Sequence, residues 1–431
     1  MDRRHFLLTS GLALLATQLP LTAAEKTPLP ASIKRVLLLG DSITYAGSYV
    51  DYLEAAWRTR FPDSPVEFLD LGLPSETVSG LSEPGHAGGK FPRPDLHERL
   101  DRVLAQTKPD LVIACYGMND GIYHPFSEDR MAAHQRGIFK LREKVQAAGA
   151  KIIHLTPPVF DPQPIKEKTL PAGLSVYEKP YVGYDEVLGR FAEWLLQQRS
   201  KGWEVYDIHG PMSQHLAKRR QTKPEFIMAR DGVHADATGH WLMAQALLRG
   251  WKLKPDIETH GIDVIKGKAL GATLADLQAG KGNLAFLWTV RPTQPYDVKW
   301  DVESLALEEF DQRIGARWLK IKGLTSGRYI LKEGDQTVIT ATAEELAAGI
   351  AVNRLANTSL QRNEVQLLKL ISQRRKLLSD AWLNATGHKR PGMAKGLPLA
   401  EAEAKAIELK QQIQVLLEPV TMKFSLSKAS N

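Results

Sequence analysis

Four polar residues in this chain are spaced so that a folded sheet could gather them. Ser42 closes "GDS" directly after the apolar run "RVLLLG"; Asn119 sits in "YGMND" after "DLVIACYG"; Asp231 precedes His234 by three residues in "DGVHADATGH". A serine at the end of a strand and the start of a helix is exposed beside backbone N–H groups, where developing negative charge is favoured. Taken alone it is equally a helix N-cap. Together the residue types fit acyl transfer, which needs a nucleophile, a base, a group to orient the base and convergent hydrogen-bond donors.

The elements that must position these residues can be read from the apolar pattern. "RVLLLG", "PVEFLDLG", "DLVIACYG", "KIIHLTPP" and "WEVYDIHG" are short runs rich in Val, Ile and Leu, each closed by a turn signal. Runs without polar alternation suit strands covered on both faces. Amphipathic stretches at 48–60, 95–106, 130–148 and 184–200 lie between them. The alternation predicts a three-layer α/β/α sandwich around a parallel five-stranded sheet. Ligands bind such sheets beyond the carboxyl ends of the strands, which is where Ser42 and Asn119 fall; Asp231 and His234 precede the last helix.

Gly-Asp-Ser after the first strand, Gly-x-Asn-Asp after the third and Asp-x-x-His near the end of the region together resemble the SGNH (GDSL) hydrolase superfamily over about residues 33–251. The resemblance implies a flavodoxin-like sheet and a serine hydrolase. It makes Ser42 the nucleophile, His234 the base and Asp231 its orienter. The oxyanion donors would be the Ser42 N–H, the Asn119 side chain and a backbone N–H after the second strand. Family members carry N-x-G-x-x-G there; this chain has "DLGLPSET", with Asp70 for the asparagine and Ser75 at the donor position. Gly72 is the fallback donor. Candidate substrate contacts are Asp41, Asp120, Arg93, His388 and Arg390. The expected activity is hydrolysis of small acyl esters, O-acetyl groups on carbohydrate above all. The alternatives are a lipase, lysophospholipase or thioesterase of the same fold, and a non-catalytic carbohydrate-binding protein. No G-x-S-x-G surrounds Ser42, which disfavours an ordinary α/β-hydrolase. No H-E-x-x-H, cysteine cluster or P-loop occurs, so neither metal nor cofactor is expected.

Other residues have plainer readings. Asp207 and His209 close a strand and read as turn packing rather than a second acid–base pair. His240 reads as a helix-packing residue and His154 as a core histidine. The Gly/Pro-rich 82–100 and the proline-rich segment after "KIIHL" are loops on the active edge, where Phe91, Phe160, Tyr177 and Tyr181 could stack on sugar rings. The tip of a later helical hairpin, "GHKRPGM", could fold over that edge.

The chain has 431 residues, 43% hydrophobic and 24% charged, with a formal net charge of +7. This is ordinary globular composition. "KRR" at 218–220 and "QRRK" at 373–376 lack interleaved aromatics and read as solvated faces, so no nucleic-acid partner is expected. Cys115 is the only cysteine, which excludes an intramolecular disulfide; it reads as a small buried residue. Residues 1–24 read as a cleavable export signal. Arg3-Arg4 followed by Phe6-Leu7 resembles a twin-arginine signal, with a general secretory signal as the alternative. The apolar run is short for a bilayer span and contains Pro20. The expectation is a periplasmic or secreted protein that meets the export machinery and keeps no stable membrane insertion. The predicted organisation is a hydrolase domain over 25–255, a small β-rich module over 256–357, a helical hairpin over 358–418 and a strand with tail over 419–431.

Overall fold

The structure, a computed structural model, describes residues 27–171, 179–271, 273–280 and 283–429. The expected export signal and Tyr177 lie outside them.

Five strands, β1 (Arg35–Gly40), β2 (Glu67–Asp70), β3 (Leu111–Cys115), β4 (Lys151–Leu155) and β5 (Glu204–Tyr206), form one sheet in the order β2-β1-β3-β4-β5. All its pairings are parallel. Alternate side chains of a strand point to opposite faces. In β1, Val36 and Leu38 enter a core with Trp57 and Trp241, whereas Leu37 and Leu39 enter a second core with Leu100 and Leu141. Both faces are therefore apolar, which explains the unbroken runs. The connecting helices are α1 (Ser42–Ala46), α2 (Ser48–Arg60), α3 (Leu96–Thr107), α4 (Glu128–Ala147), α5 (Tyr184–Gln197), α6 (His209–Thr222) and α7 (Ala237–Gly250). Helices α2 and α7 supply the first core; α3 and α4 supply the second. The chain leaves β1 toward β2 on one side and returns to β3 on the other. That switch point lies between the strands whose ends carry Ser42 and Asn119.

The later chain builds two further sheets. Their strands are β6 (Asp256–Asp263), β7 (Lys268–Leu270), β8 (Leu274–Gly280), β9 (Asn283–Val290), β10 (Gly315–Lys322), β11 (Arg328–Glu333), β12 (Gln336–Thr342), β13 (Ile350–Ala351) and β14 (Val420–Lys428). One sheet runs β13-β10-β6-β7, the other β12-β11-β14-β9-β8. Ile262, Leu319 and Ile321 of the first share a core with Trp288, Leu331 and Phe424 of the second. The sequence 315–342 reads as three consecutive strands, but β10 joins the first sheet, parallel to β6, and only β11 and β12 form a hairpin.

Four helices accompany these sheets: α8 (Val302–Leu307), α9 (Phe310–Arg313), α10 (Ala343–Ala348) and the long α11 (Ser359–Thr386), followed by α12 (Leu399–Leu416). The first two interrupt the expected β-rich region. Asp301 caps α8 by accepting from the Ser304 N–H at 2.8 Å, and its own N–H donates to Thr238 at the start of α7. Trp300, Leu305 and Phe310 enter the first core, so 296–313 packs on the parallel-sheet body, between two strands of the sheet pair. Helices α11 and α12 form the expected hairpin, which lies on α2 and on the second core through Leu378 and Trp382.

The cluster at 373–376 is not a solvated face. Arg374 and Arg375 are both 6% exposed and turned inward. Arg374 pairs with Glu54 and Glu67, and Arg375 with Asp51 and Asp70. Arg219 of "KRR" is likewise buried and bonded to Asp301. Their aliphatic stems cover apolar surface while carboxylates neutralise the heads.

Candidate active site

Asp41 and Ser42 divide two tasks at the end of β1. The Asp41 carboxylate accepts the Ile43 N–H at 2.9 Å and is the N-cap of α1. The capping role considered for Ser42 is thus taken by its neighbour. Ser42 Oγ is left to meet His234 Nε2, at 2.8 Å. His234 Nδ1 lies 2.6 Å from Asp231 Oδ2. The other Asp231 oxygen accepts the backbone N–H groups of Val233 (3.0 Å) and His234 (2.8 Å), which fixes the carboxylate in the turn before α7. Hydroxyl, imidazole, carboxylate and backbone are joined in one line, the hydroxyl coming from 192 residues before the imidazole.

The charges suit that line. The bond from Asp231 raises the His234 pKa, against an opposing effect of burial, and the charges of Asp231 and Asp41 add to it. Partial burial pushes Asp231 up, but its bonds to the His234 ring and backbone outweigh this and hold it well below the usual carboxylate range. Burial pushes Asp41 up to about 7 despite the Ile43 N–H bond.

Asn119 is 3% exposed and its orientation is dictated. Its Oδ1 accepts from Arg93 Nη1 (2.9 Å) and the Tyr123 hydroxyl (3.2 Å), while Nδ2 donates to the Glu76 carbonyl (3.1 Å). An amide nitrogen carries two hydrogens, so one remains for a ligand oxygen. Beneath it, the Glu76 carboxylate is held by Arg99 and by the Tyr116 hydroxyl at 2.7 Å.

The turn after β2 separates the two donor candidates. Gly72 gives its N–H inward to Asp70 Oδ1 at 3.0 Å, so it is not a donor to a ligand in this geometry. A Cβ on Gly72 would stand 2.3 Å from the Tyr45 nitrogen; glycine is required because the turn lies against α1. Ser75 has φ 68° and is half-buried. It holds the left-handed backbone that glycine usually supplies, at the position where the resemblance puts a donor.

Three of the proposed substrate contacts require correction. Asp41, Asp120 and Arg93 are 3%, 0% and 4% exposed and, unlike the Asn119 amide with its spare hydrogen, are hydrogen-bonded into the protein, Asp41 to the Ile43 N–H. Asp120 accepts the N–H groups of Val78 and Ser79. Arg93 is clamped by both Glu83 oxygens at 2.8 Å and passes its third nitrogen to Asn119. Of the hairpin tip, His388 is half-buried and Arg390 lies over the Phe91 ring at 5.6 Å. The tip therefore leans on the 82–93 loop that delivers Arg93. Phe160 is buried and bears on Tyr123 and Tyr184, which removes it as a stacking platform.

The rival histidines take the plain readings. Burial pushes His154 and His240 down to about 3; the first stacks on Trp203, the second on Tyr49. Asp207 accepts from the Thr156 hydroxyl and the Gly210 N–H, both at 3.0 Å, and His209 faces Asp185 at 3.9 Å.

Glu83, Tyr123 and Arg375 were missed by sequence reasoning. Helical spacing held a signal for the last: Leu367, Leu370, Ile371 and Leu378 trace an apolar stripe on which 374 and 375 fall. A groove of about 670 Å³ is lined by Ala46, Ala235 and Asp236, sequence neighbours of Ser42 and His234 though not those residues themselves, and, from the later chain, by Tyr296, Lys299 and Lys369. Among the described residues no group of three or more His, Cys, Asp or Glu could hold a metal, and no helix is long and apolar enough to cross a membrane.

Residues 38–242 match the GDSL-like lipase/acylhydrolase family. Over residues 38–242 the chain carries an SGNH hydrolase domain. A gut microbial diltiazem-metabolizing enzyme shares the fold of this SGNH hydrolase with a TM-score of 0.69 at 19% identity, over 92% of this chain and 98% of that one. The likeness to it extends through the later sheets and hairpin. An acetylxylan esterase from Geobacillus stearothermophilus, solved as a catalytic mutant, has a TM-score of 0.38 at 18% identity, over 51% of this chain and 95% of its own. For the acetyl xylan esterase AlAXEase the values are 0.35, 18%, 50% and 98%. No curated protein matches the hydrolase.

Proposed function

We propose that this SGNH hydrolase is an exported serine esterase that removes small acyl groups, O-acetyl above all, from carbohydrate. The observation that carries the esterase reading is the unbroken Ser42–His234–Asp231 chain at 2.8 and 2.6 Å. Ser42 Oγ attacks the ester carbonyl as its proton passes to His234 Nε2. The Ser42 and Ser75 N–H groups and the Asn119 amide receive the oxyanion. The tetrahedral intermediate collapses, the C–O bond to the alcohol breaks, and His234 returns the proton to the departing alkoxide. Water, deprotonated by His234, then cleaves the acyl-serine and frees the acid.

The groove supports a polar alcohol portion. Tyr296, Lys299, Lys369 and Gln373 offer a ring face and hydrogen-bond groups beside Ala46 and Ala235. Val298 and Val365 on its wall are 67% and 44% exposed, which favours apolar esters as a second reading. The export proposal rests on the twin arginines and the apolar run before residue 25.

Ser42→Ala should abolish hydrolysis of an aryl acetate and labelling by a fluorophosphonate while leaving the circular-dichroism spectrum unchanged; undiminished turnover in that variant refutes the assignment. Acetate release from acetylated glycans, set against long-chain aryl esters and diltiazem, separates the substrate readings.

A further inference from the structure

One side chain of the hairpin touches both halves of the candidate site. Arg375 donates Nε–H to Asp51 Oδ1 at 2.6 Å and Nη2–H to Asp51 Oδ2 at 3.3 Å. Its Nη1 reaches Asp70 Oδ2 at 3.1 Å, and Nη1 and Nη2 point at the carbonyls of Tyr45 (3.5 Å) and Ala46 (3.1 Å). Those carbonyls end α1, the five-residue helix that begins at Ser42. The last carbonyls of a helix lack intrahelical partners, and a cation there is favoured. Asp70 in turn spends its other oxygen on the Gly72 N–H, at the head of the turn that carries Ser75. The close fit is visible at Gly47, between α1 and α2: a Cβ there would fall 1.9 Å from the guanidinium carbon.

We propose that Arg375 is a positioning residue for the esterase reaction, locking the serine helix and the oxyanion turn in register from a hairpin outside the parallel-sheet body. This rests on the esterase reading above. A guanidinium is suited to the task because it is planar, permanently charged and presents five donors in a fixed fork. Donors held in place before the substrate arrives let an oxyanion site act without reorganising during the reaction. Arg375 sets that geometry for the α1 and Ser75 side of the site; Arg93 sets it for Asn119.

The adjacent Arg374 provides the control. It is equally buried and pairs with Glu54 and Glu67. Glu67 opens β2, at the strand end opposite the site, so its loss should loosen the hairpin without touching the oxyanion turn. Arg375→Ala, Arg375→Lys and Arg374→Ala would be purified as full chains and compared for thermal midpoint, kcat, KM and the rate of fluorophosphonate labelling. A mispositioned donor costs on the order of 10²-fold in rate. The expected result is a kcat and labelling rate about 10- to 100-fold lower in Arg375→Ala with KM within about threefold, and Arg374→Ala close to wild type in kcat despite a lowered midpoint. Low millimolar methylguanidinium should restore part of the Arg375→Ala rate. Lysine can place a cation near Asp51 and Asp70 but cannot span to both helix carbonyls, so Arg375→Lys should fall between. Wild-type kcat in folded Arg375→Ala, or an equal kcat loss in Arg374→Ala, overturns the proposal. If Arg375→Ala does not fold, Arg375→Lys decides: unchanged kcat and labelling overturn it, while reduced kcat at constant KM sustains it. An inactive, unlabelled wild-type protein instead sinks the esterase reading, and this proposal with it.

Discussion

Ser75 carries a serine side chain at a backbone angle that favours glycine, and its N–H is nonetheless the remaining donor on its turn. A left-handed non-glycine residue costs on the order of 1 kcal/mol, and more when β-branched. Ser75→Gly should therefore keep kcat within about twofold and raise the denaturation midpoint, since the N–H survives and the strain is relieved. Ser75→Val should lower both the midpoint and kcat. A stable, fully active valine variant would show that the turn does not depend on a left-handed residue at position 75. The second residue-scale prediction concerns pH. His234 must be neutral to take the serine proton, so kcat/KM rises with pH through its pKa. Because the Asp231 bond, with help from the Asp41 charge, raises that pKa, the acid limb should lie above the ordinary imidazole value of about 6.5. Asp41→Asn keeps the cap on Ile43 but deletes a charge that, with Asp41 itself pushed up to about 7, is present only toward the top of that limb, so the limb should move modestly to lower pH. An unmoved or rising limb in the pH profile would show that Asp41 does not act on His234.

At the scale of elements, what the sequence made legible follows from how local the signal is. The strands of the parallel sheet and the helices between them could be read because both faces of β1 and β3 are buried, so apolar runs mark them without ambiguity. Ser42, Asn119, Asp231 and His234 could be placed because each ends a strand or precedes a helix. The third donor was harder. A glycine pattern announces itself, whereas Ser75 is held at φ 68° by its surroundings, and Asp70 replaces an asparagine by enlisting an arginine 305 residues later. Arg93 looked like a substrate contact because loop arginines usually face solvent; Glu83, ten residues before it, neutralises it in the interior. Helices α8 and α9 were read as part of a β-rich region because "YDVKWDVESLAL" is rich in β-branched and aromatic residues. The capping by Asp301 and the burial of Trp300 against α7 override that preference.

Across the whole molecule, the later chain is a buttress on the hydrolase body rather than an appendage. Trp300 is 2% exposed and lies within 5.1 to 5.9 Å, centroid to centroid, of Tyr52, Trp241, Tyr296 and Phe310. Truncating a buried Trp to Ala costs about 3–5 kcal/mol. Trp300→Ala should lower the urea midpoint accordingly and speed hydrogen exchange in α7 as well as α8. Loss of protection confined to 296–313 would mean that the segment docks without supporting the body.

The last strand carries a consequence of its own. β14 is central in its sheet, paired with β9 on one side and β11 on the other, yet it follows both of them in the chain. While a ribosome is still extending the polypeptide, β9 and β11 have no partner between them, and their open edges are exposed to neighbouring chains. That sheet can close only after β14 itself has been made. Loss of β14 would then act as a split through its middle, leaving two unpaired edges that invite aggregation.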